Sequence, residues 1–375
     1  MRKKNTRGTR RRKLSQEQLE RRELLAADLI EAVDLTTIED DTVVAEVASL
    51  TAGGGGVNAP DLGSAGAETN PDHTTQATDV VLEWNELFNE LLVADETNQN
   101  PGYASRAMAM LNLAIYDAVT IADGNPGDTF YDYDFGHGPR APVIAEVAAS
   151  QAAYSVLSSL YPDQQAMLDA FYAEVSAGYP GNAATAASVA LGDEIAAVVI
   201  QARADDGWDA EVDYTYTDGA GNFQADPLNP DVPVWGPGWG EVETFSISSA
   251  ENFAPETTPA LTSEEYADSY NEVKELGSVD STVRTADQTE AGIFWAYDRE
   301  GLGTPLSLFN DVLQTVAVQQ GNTLQENAAL FAQASVAMAD AAIVAWHTKF
   351  DEQFWRPVTA IHDGDNDGNE LTEGD

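Results

Sequence analysis

From residue 78 onward, apolar positions recur at three- and four-residue intervals, the signature of amphipathic helices. Val81, Trp84, Phe88 and Leu91/Leu92 predict a first helix. Met108, Leu111, Ile115 and Val119 line one face of a second over 103–121, broken by Asn125-Pro126-Gly127-Asp128. Three more stretches, 142–160, 164–177 and 183–204, stop at Tyr161-Pro162, Gly178-Tyr179-Pro180 and Asp205-Asp206-Gly207.

The pattern then lapses. Residues 207–260 hold many of the prolines and two Trp-Gly clusters, with short strand-like character around Val212–Tyr216. A connection this long in a compact domain implies a function or substantial packing of its own. Helical spacing resumes at Thr262-Ser263-Glu264-Glu265, a capping-box pattern, and runs to Leu276 before Gly277. Further helices are expected over 287–297, over 305–319, and from Thr323, paired with Glu326, through Trp346 and Phe350. The fold class is therefore all-α, about nine helices with one long irregular loop at 207–260.

Composition sets the division of the chain. Residues 1–27 form a basic segment and 28–77 an acidic, Gly- and Thr-rich linker around Gly53–Gly56; 78–375 is the helical domain. The formal net charge is −45, and residues 1–25 hold ten of the 18 Lys and Arg. The acidic body opposes nucleic acid and anionic membrane as partners. There are no cysteines, which excludes disulfides, thiol nucleophiles and Cys-ligated metals. No run reaches the roughly 18 uninterrupted apolar residues of a membrane span. The pattern Arg12-Lys13-Leu14 … Leu19-Glu20-Arg21-Arg22 … Leu24-Leu25-Ala26-Ala27 resembles an N-terminal tag of exported proteins, and export is the expectation; the alternative is a basic arm that binds an anion.

Against that acidity, two cations stand seven residues apart in Lys349-Phe350-Asp351-Glu352-Gln353-Phe354-Trp355-Arg356-Pro357. If the segment is helical, Lys349, Gln353 and Arg356 share a face, with Trp346, Phe350 and Phe354 on the adjoining one. Pro357 disfavours helical geometry at Arg356 and places it at the helix exit. Two fixed cations on an apolar helix suit half of an oxyanion site. The competing reading pairs them with Asp351, Glu352 or another acid.

Lys349-x6-Arg356-Pro357 resembles the first vanadate-binding motif of the vanadium-dependent haloperoxidases, shared with type 2 phosphatidic acid phosphatases and bacterial acid phosphatases. Phe354–Ile361 is similar to the family's Trp-Arg-Pro segment, Ser335–Ala342 through Trp346 to the helix before it, and Tyr266–Ser278, Arg284–Thr289 and Ala107–Val119 to earlier regions. The resemblance implies a two-bundle helical fold with vanadate, or a substrate phosphate, at the end of the second bundle. It implies that Lys349 and Arg356 bind equatorial oxygens, that Lys349 polarises peroxide for attack by halide, and that Trp346 lines the halide side. Hydrogen peroxide and halide, or a phosphate ester, would be the reactants.

The family's Pro-Ser-Gly-His and Ser-Arg-x3-Gly-x-His motifs do not occur in this sequence, and none of His73, His137, His347 and His362 stands in a matching context. The resemblance thus implies the N-terminal portion of a longer enzyme, its second bundle incomplete and without turnover of its own. The acid-phosphatase reading and a non-catalytic acidic protein on the same scaffold are the alternatives. Finally, Asp363, Asp365 and Asp367 match the opening half of an EF-hand-type calcium loop, although position 12 is Gly374 and position 8 is Glu370. A solvated acidic turn is the alternative to calcium there. Nucleotide P-loop, zincin and serine-elbow motifs do not occur.

Overall fold

The computed structural model describes residues 79–95, 100–134, 142–255, 258–295 and 303–375. The readings made on the N-terminal segment and linker, with His73 and His137, lie outside the described residues. The described residues form ten α-helices in order: α1 Val80–Ala94, α2 Pro101–Ala122, α3 Ala145–Leu160, α4 Gln165–Ser176, α5 Ala183–Ala202, α6 Glu264–Gly277, α7 Ala286–Trp295, α8 Pro305–Gln320, α9 Leu324–Glu352 and α10 Pro357–His362. The all-α expectation holds: the described residues contain no strand, only an isolated antiparallel bridge between Asn222 and Phe354. The strand-like Val212–Tyr216 stretch is irregular because its tyrosine rings pack on Phe350 and Phe223 instead of a partner strand.

The core is built around α2, which starts on Pro101 at its first turn and is buried on nearly every side. Small residues let its neighbours approach. Gly192 of α5 lies so close to α3 that a Cβ there would stand 2.6 Å from the Ala148 carbonyl oxygen. Along α9, Ala328, Ala332, Ser335 and Ala339 are buried, and this Ala/Ser stripe packs on α2. Trp84, Phe88, Leu91, Met108, Ile115, Leu157 and Phe331 fill the space between.

Buried amides set the register. Asn85 of α1 and Asn112 of α2 exchange hydrogen bonds of 2.8 and 3.0 Å, and Asn112 also donates to the Ser335 hydroxyl of α9 at 3.0 Å. Asn310 of α8 donates to the Asn85 carbonyl at 2.8 Å. Buried polar groups are costly unless satisfied, so a ladder of this kind selects one packing of the four helices over others.

Helices α6 and α7 are covered far less. Only Tyr266, Ala267 and Tyr270 of α6 are buried, and no residue of α7 is. Ile293 and Trp295 are 66% and 57% exposed. α5 and α9 are long and apolar enough to cross a membrane by length and composition alone. In the fold they pack against α3 and α2.

Candidate functional site

α9 carries the site. It opens on a capping box in which the Thr323 hydroxyl accepts from the Glu326 N–H and Glu326 answers at the Thr323 N–H. It runs 29 residues and ends at Glu352, not at Arg356. Gln353, the C-cap, takes left-handed geometry at φ 48°. Lys349, Gln353 and Arg356 therefore do not share a helix face, and Phe354 does not extend the Trp346–Phe350 face. Three causes act together. Pro357 at the first turn of α10 holds Arg356 extended, at ψ 155°. The Gln353 carbonyl accepts the Phe223 N–H at 2.6 Å, and the Trp355 N–H donates to the Gly221 carbonyl at 3.0 Å. Trp355 itself is buried with Tyr266, Tyr270 and Ala360.

The turn still brings the two cations to one place. The Lys349 Nζ lies 5.4 Å, and the Arg356 Cζ 5.9 Å, from the centroid of the same Phe223 ring. Lys349 also stands 5.3 Å from the Trp346 ring and 5.2 Å from Phe350. Burial, and then the Arg356 charge, hold its ammonium below the usual lysine range. Among the described residues neither Lys349 nor Arg356 forms an ion pair or a side-chain hydrogen bond, so the salt-bridge reading finds no partner there. Arg356 is exposed; its charge contributes, behind the Leu228 N–H and the Asn229 amide, to holding the Asp226 carboxyl low.

Trp346 sits beside the pair with its indole N–H turned to the Trp235 carbonyl, at 3.4 Å. Gly236, at φ 73°, lets the backbone pass the indole: a Cβ there would meet Nε1 at 2.7 Å. Trp235, Trp239 and Tyr103 extend the aromatic wall through ring contacts of 5.3 to 5.4 Å. His347 faces Glu241 with Nδ1 at 3.7 Å, and His362 is exposed at the end of α10.

Each of the three loop aspartates accepts a hydrogen bond from within the tail. Asp363 accepts from the Asn366 amide, Asp365 from the Gly374 N–H at 2.9 Å, and Asp367 from the Asn369 N–H at 2.7 Å and the Thr372 hydroxyl at 2.6 Å. No group of three His, Asp or Glu residues converges as a metal cage among the described residues. The tail docks instead on α6, where Tyr270 and Lys274 donate to the Glu373 carbonyl at 2.8 and 2.6 Å.

Phe223 was invisible to periodicity, because it lies in the loop with no helical neighbours. The only hint was the length of that loop and its aromatic content.

Among the described residues, fold and site define a helical-bundle protein with a cation pair free of ion-pair partners at the end of the longest helix. The family model of the VCPO second helical-bundle domain matches residues 329–370, the stretch that carries Trp346, Lys349 and Arg356. The vanadium chloroperoxidase of Curvularia inaequalis is 28% identical over 349 residues, 76% of this chain and 57% of that protein. The chain thus spans little more than half the length of the curated relative it matches. The first bacterial vanadium-dependent iodoperoxidase of known structure shares the fold at TM-score 0.61 and 22% identity, over 77% of this chain and 72% of that one. A bacterial vanadium-dependent chloroperoxidase does so at TM-score 0.51 and 15% identity, over 73% and 67%. The chain is thus similar to vanadium haloperoxidases in sequence and fold, and its residues 329–370 match their second helical-bundle domain.

Proposed function

We propose that this chain supplies the cationic wall of an oxyanion site, the part of a vanadium haloperoxidase that binds vanadate's oxygens during peroxide-dependent halide oxidation. The observation that carries the reading is the pair Lys349 and Arg356 over one ring with no ion pair among the described residues, in a chain of 63 Asp and Glu. The donor chemistry fits such a group. Arg356 offers a planar fork able to serve two oxygens, and Lys349 a compact ammonium whose partial burial strengthens its attraction for an anion. When bound, vanadate supplies the Lewis acidity that activates peroxide toward halide. Trp346, Phe350 and Phe223 exclude water from the ammonium side, and Lys349 holds its proton toward the anion.

The two family motifs that carry the acid–base and axial histidines do not occur in this sequence. The chain alone is therefore expected to hold an oxyanion without turning over, and the complete activity to need those groups. The basic N-terminal pattern further supports export as the destination.

Calorimetric titration of orthovanadate tests the reading. Saturable binding by the wild type, lost in Lys349→Ala and in Arg356→Ala, is expected; equal heats from all three would overturn it. Halogenation of a phenolic dye with peroxide and bromide by the 375-residue chain would overturn the expected lack of turnover. Hydrolysis of a phosphate monoester in its place would favour the phosphatase alternative.

A further inference from the structure

Cations on a helix in an acid-rich protein ordinarily end in salt bridges, which consume their N–H donors. At this site an aromatic ring takes the carboxylate's place. Phe223 is 4% exposed and is boxed by other rings, with Tyr214 at 5.8 Å, Tyr216 at 5.7 Å and Phe350 at 6.2 Å between centroids. Its backbone N–H caps the Gln353 carbonyl, and two residues earlier the Gly221 carbonyl receives the Trp355 N–H. These two bonds clamp the turn that sets the Lys349–Arg356 spacing. A ring face attracts a cation through its quadrupole but offers no lone pairs, so the N–H donors stay available to a ligand.

We infer that Phe223 is a positioning residue of the anion seat: its ring and its backbone clamp hold Lys349 and Arg356 together, with their donors free for an oxyanion. The inference rests on the oxyanion reading given above. The charged group that faces Lys349 is Arg356, and Asp226 lies on the Arg356 side. Asp226 belongs to the same connection as Phe223, and the Phe223 ring is the aromatic face that Lys349 and Arg356 both stand over. The size of the effect follows from ordinary cation–π strengths at partly screened sites.

The test is a pair of substitutions in the full chain. Phe223→Leu keeps an apolar side chain and the backbone clamp but removes the π face; Phe223→Tyr restores it. Orthovanadate titrated at fixed low ionic strength is expected to bind Phe223→Leu about fivefold more weakly than wild type, and Phe223→Tyr within about twofold. A second readout needs no vanadate. In protein reductively methylated with 13C, the Lys349 amine should titrate at lower pH in Phe223→Leu, because the charged form has lost a stabilising face, and return in Phe223→Tyr. Wild-type affinity together with unchanged Lys349 titration in Phe223→Leu would overturn the inference. If Lys349→Ala also binds as wild type, the oxyanion reading fails separately, and the titration still decides the role of Phe223. Thermal unfolding of each variant confirms that the fold is intact.

Discussion

The carboxylate of Asp340 accepts the Phe245 backbone N–H at 2.6 Å, and so ties the long connection to the helix that carries Lys349. The Ser246 N–H and hydroxyl and the Ile247 N–H complete the cradle at 2.9, 2.7 and 3.2 Å. Asp340 is 3% exposed, so its charge is compensated by these donors rather than by water. Asp340→Ala strands three backbone N–H groups and should cost about 3 kcal/mol. Urea unfolding followed by circular dichroism measures this; a loss under about 0.5 kcal/mol, the range of ordinary surface substitutions, would show that the cradle is dispensable.

A second anchor holds the start of the same connection. Asp206, with its side chain fully buried, lies 2.8 Å from Arg106 Nε and 2.7 Å from Arg203 Nε. Arg203 in turn donates to the Glu243 carbonyl at 2.5 Å, and its guanidinium lies 3.8 Å from the Phe245 ring centroid. Removing the shared anion leaves two buried guanidinium groups facing each other. Asp206→Ala is expected to destabilise by about 3–5 kcal/mol. A midpoint in urea equal to wild type would contradict the placement of this cluster.

The helices were legible in the sequence because their apolar spacing is the direct imprint of burial on one face. Trp84, Phe88, Met108 and Ile115 fall in the core where that spacing puts them. The end of α9 was not, since Lys349, Gln353 and Arg356 fit a helical face equally well on paper. What stops the helix is tertiary: the Phe223 N–H captures the Gln353 carbonyl and Trp355 turns into a cluster with α6. Lys349, Trp346 and Arg356 could be singled out from motif and scarcity of charge. Phe223 and Asp340 act through partners about a hundred residues distant, and local pattern carries no trace of such contacts.

Acidity should act on stability through Asp311. Burial raises its carboxyl to about 6, with Glu86 adding to the rise, although the Asn89 amide donates to it at 2.6 Å. In the unfolded chain the same group ionises near the ordinary aspartate value, so between roughly pH 4 and 6 the folded state binds more protons. Its contribution is therefore fully present below pH 4 and lost as pH rises through about 6. With partial exposure to solvent, the loss is at most about 2 kcal/mol. Asp311→Asn should flatten this part of the stability–pH curve and gain stability at pH 7. A curve parallel to wild type between pH 4 and 7 would contradict it.

Gly236 should resist substitution for two separate reasons. Its φ of 73° suits glycine, and an added Cβ would press on the Trp346 indole. Gly236→Ala is expected to cost about 1–3 kcal/mol and to shift the tryptophan emission maximum. An unchanged emission spectrum and melting temperature would place the indole elsewhere.

The central claim is that Lys349 and Arg356 are held together and un-neutralised in order to receive an oxyanion. Crystals of the chain grown with tungstate, a heavy analogue of vanadate, test it most directly through the metal's anomalous signal. The predicted result is a tungstate whose oxygens lie within hydrogen-bond distance of Lys349 Nζ and the Arg356 guanidinium, beside the Phe223 ring. A structure with no tungstate there and either cation paired with a carboxylate would contradict the account.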